Sequence, residues 1–277
     1  MVRGPQPRPW GVGLSVPRGT VAGMTTRSSS PWRRTQTELP AGRGAVAVVI
    51  YLASALAVVL GVTLALPGLV SVADGLRYPV TADDVASARA ALATLPVKGR
   101  APRTGYDRAA FGPAWQDVDR NGCDTRNDIL GRDLTGIEFK PGTRDCLVLA
   151  GTLLDPYGGR EIAFERGPET SAYVQIDHVV ALSDAWQKGA QAWPANVREA
   201  FGNDPANLLA VDGPLNQAKG AADAATWLPP HKPYRCRYVL RQVRVKAAYG
   251  LWVTAAEREA MTRELGRCEI VPTAESP

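Results

Sequence analysis

Four stretches of the chain after residue 80 have the apolar spacing or the composition of helices. In the first, the Thr81 hydroxyl precedes the Asp84 carboxylate by three residues, which is the pattern of a capping box. Apolar residues follow it at helical spacing, so we expect a helix from about 82 to 95. The other three predicted helices are an Ala-rich stretch at 216–227, a stretch from Tyr238 onward and a stretch that Thr254 opens.

Shorter β-prone runs between turn residues predict strands. Residues 146–153 and 161–164 lie on either side of the turn sequence D-P-Y-G-G and predict a β-hairpin. Residues 173–176 and 208–211 predict two further strands. This mixture of strands and helices fits one α+β domain with flanking helices and a β-hairpin.

The longest apolar run, residues 44–73, contains no Asp, Glu, Lys or Arg. Because about 20 apolar residues can cross a bilayer, the run predicts one transmembrane helix. The flank before it is Arg-rich, so we expect residues 1–43 to be a disordered cytoplasmic tail and the C-terminal part to lie outside the cell. The small residues Ser71 and Ala73 also fit cleavage after Ala73, which would give a secreted protein. Either the membrane or the extracellular space is the expected location.

The positive net charge belongs to the N-terminal tail. Residues 1–43 hold seven Arg and one Glu, a balance of 7 − 1 = +6, which leaves 25 basic and 26 acidic residues elsewhere. A nucleic-acid function therefore cannot be argued from net charge, and only a local basic face would count. The same patterns divide the rest of the chain into a helix and linker at 74–104 and a compact domain at 105–277.

All four cysteines follow the apolar run, as expected for a domain that matures in an oxidising compartment. Four cysteines allow two disulfides in three possible connectivities. We predict the pairs Cys123–Cys146 and Cys236–Cys268, because each would tie a loop to a nearby element. A structural zinc site is the alternative, but the spacings are wide and no C-x-x-C occurs.

An ordered set of polar residues lies on the strands and helix of the compact domain. Asp177 and His178 end one predicted strand, Asn207 precedes the next, and Asn216 and Lys219 lie in the helix that follows. Strand alternation alone would place Asp177 and His178 on opposite faces, although a strand end can bring both toward one metal. An isolated Asp-His pair would carry little weight, and it is the order of the whole set that suggests a site.

The chain resembles the HNH endonucleases, whose core is the ββα-metal motif, and more closely their exported bacterial members. The resemblance is carried by three blocks: D-H-V-V-A-L-S-D-A-W, N-G-C-D-T-R-N-D-I-L and D-A-A-T-W-L-P-P. It implies that Asp177 and Asn216 bind one divalent metal, that His178 is the general base, and that Asn207 orients His178. Asn216 stands where the last His of the family name would be.

Elementary chemistry is consistent with these roles. Hydrolysis of a phosphodiester needs a water that is deprotonated near pH 7, and histidine has an unperturbed pKa of about 6.5. Two oxygen ligands favour Mg²⁺, or Mn²⁺, over softer ions. Lys219, one helical turn after Asn216, could contact a phosphate or could be a solvated helix charge.

Two further patterns suggest ligand contacts. Residues 117–128 have oxygen side chains at most positions of a calcium-binding loop, but Asp128 replaces the usual Glu, and we expect the loop to shape the rim of the site instead. Arg126 in this loop is a candidate phosphate contact. The tryptophans, Trp115 included, are expected to be core residues.

Arg237, Arg241 and Arg244 share one face of a predicted helix. They could bind a nucleic-acid backbone, or they could be an ordinary solvated face. The first hypothesis for the whole protein is a metal-dependent endonuclease acting on nucleic acid, most readily DNA, with little sequence specificity. The alternative is a non-catalytic module that binds polyanions through this basic face. The sequence indicates no protein partner.

Overall fold

The computed structural model describes residues 48–62 and 77–271. Residues 48–62 form a helix, α1, with exposed side chains. Within these two ranges no helix is long and apolar enough to span a membrane, so the transmembrane helix predicted at 44–73 is not supported. The rest of that run and the tail at 1–43 lie outside the described residues.

Seven α-helices follow in residues 77–271. They are α2 (Ala82–Thr94), α3 (Thr125–Asp133), α4 (Leu182–Gln187), α5 (Ala195–Gly202), α6 (Gly213–Lys219), α7 (Arg235–Ala248) and α8 (Ala255–Leu265). The predicted capping box is present: the Thr81 hydroxyl accepts from the Asp84 amide, and Asp84 accepts from the Thr81 amide. Thr254 caps α8 in the same way, together with Glu257.

Five strands form two antiparallel sheets. The strands β1 (Leu134–Phe139), β2 (Val148–Leu154) and β3 (Glu161–Glu165) pair in sequence order. The strands β4 (Val174–His178) and β5 (Leu208–Asp212) form a second, two-stranded sheet. The predicted hairpin is β2–β3, and the α+β class is confirmed. Because α6 directly follows β5, the order β4, β5, α6 has the strand–strand–helix arrangement of the predicted core.

The structure differs from the sequence-based expectation at several elements: helices α3, α4 and α5 were not predicted, and two further differences have a local cause. The helix predicted at 216–227 is instead α6, which starts earlier because Asp212 accepts a hydrogen bond from the Leu215 amide. It ends at Gly220, whose φ of +52° is a left-handed conformation that favours glycine. Strand β1 was not predicted, because Gly136 at φ +58° and a register shift interrupt its alternation.

The hydrophobic core has three parts. In one, α2 packs on α7 and α8, so residues of the 74–104 segment share a core with residues of the 105–277 segment. In the second, α3 packs against both sheets. In the third, an aromatic cluster joins α4 and α5 to the segment around Phe111. These contacts fix the end of β4 relative to α4, α5 and α6.

A balanced cluster of charges, all buried except that of Arg100, connects distant segments of the fold. Its three cations and three carboxylates are Arg100, Lys188, Lys246, Asp184, Asp223 and Glu257. Lys188 lies 2.6–2.7 Å from all three carboxylates, and Lys246 lies 2.9 Å from two of them. Both lysine side chains are fully buried. Such an arrangement is stable only when every charge has a partner.

The pKa values of Asp184 and Lys246 show how strongly these charges interact. Burial alone would raise the pKa of Asp184, but Lys246 and Lys188 outweigh burial and lower it to about 2. Burial would likewise lower the pKa of Lys246, but Asp184 and Glu257 raise it above its ordinary value. Asp184 and Lys246 therefore both stay ionised over the whole physiological pH range.

Both predicted disulfides are present, Cys123–Cys146 and Cys236–Cys268. The described residues contain no free cysteine. The second bond connects the start of α7 to the segment after α8. Closing loops of 23 and 32 residues should contribute on the order of 3 kcal/mol each, chiefly by restricting the unfolded chain.

The buried cluster gives a prediction about stability. Lys246→Met keeps the length of the side chain but leaves Asp184 and Glu257 with one cation fewer in a buried site. We expect the free energy of unfolding to fall by about 3–5 kcal/mol. Chemical denaturation measures the change.

Arg263→Met is the matched control, because Arg263 pairs with Glu259 at 3.8 Å on the exposed side of α8. Its loss should change the free energy of unfolding by less than about 1 kcal/mol. Equal effects of the two substitutions would show that the buried cluster is not a stabilising network.

Candidate active site

Three of the residues selected from the sequence line a single cleft. Asp177 and His178 are the last two residues of β4, and Asn216 lies in α6. All three contribute to a cleft of about 470 Å³. The β4–β5 register pairs Asp177 with Leu209 and His178 with Leu208, which fixes the end of the strand beside α6. Strand and helix thus bring together residues that are up to 39 positions apart.

The tautomer of His178 follows from its hydrogen bond. Its Nε2 lies 2.8 Å from the Gly202 carbonyl oxygen, which can only accept, so Nε2 carries the proton. In the neutral ring the lone pair is then on Nδ1. Burial lowers the pKa of His178 to about 4, only partly opposed by the Gly202 hydrogen bond, so the ring is neutral at pH 7. A neutral imidazole with an available lone pair can accept a proton from water.

Asn207 acts on the backbone that follows His178 and makes no hydrogen bond to the imidazole. It is fully buried, its Oδ1 accepts from the Val180 amide at 2.8 Å, and its Nδ2 donates to the Val180 carbonyl. Its own carbonyl accepts from the Val179 amide. These bonds fix the chain as it leaves β4, so Asn207 is a positioning residue whose effect on His178 is transmitted through two residues of backbone.

Two donors hold the Asp177 carboxylate from behind the cleft. Lys219 Nζ donates to Oδ1 at 2.9 Å, and the Tyr157 hydroxyl donates to Oδ2 at 2.5 Å. Burial raises the pKa of Asp177, while Lys219 and the Tyr157 hydrogen bond oppose that rise. Each carboxylate oxygen has a second lone pair, so the cleft side of Asp177 can still accept a ligand.

The phosphate contact predicted for Lys219 is not what the structure shows, nor is Lys219 a solvated helix charge. Only 2% of the residue is exposed, and Nζ donates to the Asp177 carboxylate and to the His178 carbonyl. The Lys219 side chain turns inward because it pairs with the buried carboxylate of Asp177 on β4. Lys219 therefore holds β4 against α6.

The orientation of the Asn216 amide is fixed by Gln175. Gln175 Nε2 donates to the Ala172 carbonyl, which leaves Gln175 Oε1 to accept from Asn216 Nδ2 at 2.9 Å. Asn216 must therefore present its NH₂ group to Gln175. The Asn216 Oδ1 atom receives no hydrogen bond from a donor in residues 77–271. It is the atom that an ion in the cleft would use.

These residues can hold a hydrated oxygen-preferring cation. Asp177 offers a carboxylate oxygen and Asn216 offers an amide oxygen at the same cleft. In the described ranges no three His, Cys, Asp or Glu side chains converge, so the cleft offers no full set of protein ligands for a metal. The ligand set therefore suits Mg²⁺, which commonly keeps several waters and uses only one or two protein carboxylates.

The carboxylates of the predicted calcium loop are engaged with N–H donors. Asp117 accepts from the amides of Asn121 and Gly122, and the Asn121 side chain donates to Asp119 and Asp128. Among the described residues, the acidic side chains of this loop do not converge on a common point where a metal could bind. The loop is thus organised around Asn121, and it leads into α3, whose Arg126 lines the cleft.

The helical arginine face lies away from the cleft, which corrects the expectation of a free backbone-binding surface. Arg237, Arg241 and Arg244 line a separate cavity of about 780 Å³. Arg241 donates to the carbonyls of Pro205, Ala206 and Leu208, and Arg237 donates to that of Pro79. Arg244 pairs with Asp84. These arginines bind and stabilise other segments of the chain. Their regular spacing in the sequence does not indicate that backbone carbonyls and Asp84 are their partners.

Several residues of the site were not found from the sequence. Gln175 lies two positions before Asp177, so the strand period could have placed both on one face. Tyr157 belongs to a turn sequence with no such signal. Trp115 packs against the core as expected, and it also lines the cleft, where its ring lies 6.3 Å from the His178 ring at an interplanar angle of 17°. Arg103 and Arg108 also line the cleft.

Known proteins give two matches. The family model described as GmrSD restriction endonucleases, C-terminal domain, matches residues 124–264. A protein of Arthroderma benhamiae, described as an uncharacterized secreted protein, is 36% identical over 192 residues, which cover 69% of this chain and 89% of the relative. No solved structure matches. The family match contains Asp177, His178, Asn207 and Asn216. It does not support the finer resemblance to the exported bacterial members of the HNH endonucleases.

The buried neutral imidazole makes stability depend on pH. The folded pKa of about 4 lies below the unfolded value of 6.5, so the unfolded chain takes up the proton first as the pH falls. This contribution to stability is complete above pH 6.5 and is lost progressively toward pH 4. In metal-free buffer, we expect wild type to lose about 2 kcal/mol more than His178→Gln between pH 7 and 4.5. Equal losses, measured by urea unfolding, would contradict a buried neutral ring.

Proposed function

Because this chain belongs to the family of the C-terminal domain of GmrSD restriction endonucleases, we propose that it is a divalent-metal-dependent endonuclease that hydrolyses phosphodiester bonds. The observation that carries the proposal is the neutral His178, held through Nε2 with its lone pair on Nδ1, in one cleft with Asp177 and Asn216. This is the donor and acceptor arrangement that general-base hydrolysis requires.

In the proposed reaction, a water in the cleft transfers a proton to His178 Nδ1 and attacks the phosphorus atom. The Gly202 carbonyl accepts from Nε2 in both protonation states, so it supports the imidazolium that forms. Burial disfavours that cation, and the low pKa favours rapid loss of the proton after each turnover. Asn207 keeps the backbone after His178 in place during these steps.

Asp177 and Asn216 are the residues that would hold Mg²⁺ or Mn²⁺. When bound, such an ion supplies positive charge beside the leaving 3′ oxygen. The chain's own residues supply the geometry: Lys219 and Tyr157 fix the carboxylate, and Gln175 fixes the amide. Both ligands are thus restrained before any ion binds, which lowers the entropy cost of binding it.

DNA is the proposed substrate, and we expect the protein to cut it with little sequence preference. The cleft is lined by arginines that suit phosphates, and no described element has the form of a base-reading module. The two disulfides and the secreted relative support action outside the cytoplasm.

Removal of the base tests the assignment. We expect wild type to nick supercoiled plasmid in the presence of Mg²⁺ and to be inactive in EDTA. His178→Ala should lower the rate of nicking at least about 100-fold. His231, the only other histidine, does not line the cleft, so His231→Ala is the matched control. A gel assay of nicking, with thermal melts of each variant, makes the comparison.

Two outcomes would contradict the proposal. Wild-type rates in a folded His178→Ala variant would exclude His178 as the base. Retention of DNA in EDTA, without cleavage in Mg²⁺ or Mn²⁺, would instead favour the non-catalytic polyanion-binding module.

The proposed ligand role of Asn216 gives a separate prediction. Asn216→Ala removes one of two protein ligands and leaves the fold of α6 intact, so the Mg²⁺ concentration for half-maximal cleavage should rise at least about 10-fold. Gln217→Ala, a neighbour on α6 that does not line the cleft, is the control and should leave that concentration unchanged. Cleavage by Asn216→Ala at wild-type Mg²⁺ concentrations would show that Asn216 is not a ligand.

A further inference from the structure

The arginines of the cleft differ from the other basic surface of the domain in how they are bonded. Arg103, Arg108 and Arg126 line the cleft beside Asp177 and His178. In residues 77–271 no protein acceptor binds their guanidinium groups, and Arg103 contacts only the face of the Tyr106 ring, at 5.0 Å. The Arg237 face, in contrast, donates to backbone carbonyls and to Asp84. The cleft arginines therefore keep all of their N–H donors for a ligand, whereas Arg237, Arg241 and Arg244 use part of theirs within the protein.

The electrostatics of the cleft also call for an anion. Asp177 is the only carboxylate in its lining, and Lys219 already pairs with it from behind. Arg126 is largely withdrawn from solvent, and burial first and Arg166 second lower its pKa. Three guanidinium groups against one paired carboxylate give a strongly positive cleft with partly desolvated walls, where an anion interacts more strongly than at an open surface.

The segment that carries Arg103 and Arg108 is fastened to α4 and is not a free linker. The Ala101 amide donates to the Gln187 carbonyl at 2.9 Å, and Trp186 donates to the Thr104 carbonyl. Asp107 then caps a short 3₁₀ turn, Arg108–Phe111, by accepting from the Ala109 amide. The two arginines are therefore held at the cleft before a substrate arrives.

We infer that Arg103 and Arg108 bind backbone phosphates of the nucleic acid that enters the cleft. Both lie outside the 124–264 family match, so these phosphate contacts come from residues that precede the matched domain. This inference rests on the proposed endonuclease function for the identity of the anion. Guanidinium groups suit phosphate oxygens, to which they can donate two parallel hydrogen bonds.

The salt dependence of DNA binding tests this role without cleavage. With full-length protein and a 20-base-pair duplex in EDTA, the logarithm of the association constant should fall linearly with the logarithm of the salt concentration. The double variant Arg103→Ala/Arg108→Ala should reduce that slope by about 1.8, because each lost phosphate contact removes about 0.9. If this variant does not fold, Arg103→Gln/Arg108→Gln keeps more of the packing and should give the same reduction.

Arg237→Ala/Arg244→Ala is the matched control, since it removes two positive charges from the other basic face. Its slope should equal that of wild type. An unchanged slope in the cleft variant, or equal reductions in both double variants, would overturn the inference and leave only an effect of net charge.

The design also separates this inference from the proposed function. His178→Ala should bind with the wild-type slope, because His178 carries no charge at pH 7. If wild type cleaves DNA but the cleft variant keeps the wild-type slope, the phosphate contacts are refuted and the endonuclease function is not. If wild type does not cleave DNA but the cleft variant has a reduced slope, the endonuclease function is refuted and the phosphate contacts are supported.

Discussion

The buried charge cluster around Lys188 is the interaction on which the rest of the domain depends. It joins the segment before the family domain, through Arg100, to α4, α7 and α8. Desolvating five charges is expensive, and the arrangement is tolerable only because each cation, the more exposed Arg100 included, meets carboxylates at short distance. A set of partners this specific excludes most alternative packings, so the cluster fixes the position of α4. The start of α4 forms one wall of the cleft through Leu182 and Ser183.

The same cluster explains why parts of the sequence looked like catalytic motifs. Asp184 in D-A-W and Asp223 in D-A-A-T-W belong to the blocks that carry the family resemblance, yet both carboxylates pair with Lys188 at 2.7 Å. Neither lines the cleft. Sequence reasoning could place Asp177, His178 and Asn216 together because a strand, a strand and a helix in succession bring their ends into contact. It could predict α2 and α8 because a capping box is a local signal.

The remaining features could not be predicted because they depend on contacts between distant segments. Arg241 is a helix residue with ordinary spacing, but its acceptors are carbonyls 33–36 residues away. Lys219 is buried because β4 places Asp177 beside it. Arg103 reaches the cleft because its segment is bonded to α4, a contact 82–86 residues distant. A spacing rule describes which residues share a face, and it cannot say what that face meets.

The charge arrangement around Asp177 bears on how a cation and a substrate would bind. Lys219 offsets the negative charge of Asp177, the single carboxylate in the cleft lining. The Tyr157 hydroxyl donates a hydrogen bond to the second oxygen of the same carboxylate. A divalent ion held by Asp177 and Asn216 alone would gain little net attraction, and the nearby arginines would oppose it. An incoming phosphate reverses this balance, because it neutralises the arginines and adds oxygen ligands of its own. We therefore expect an ion and a nucleic acid to bind with positive cooperativity, each raising the affinity of the cleft for the other.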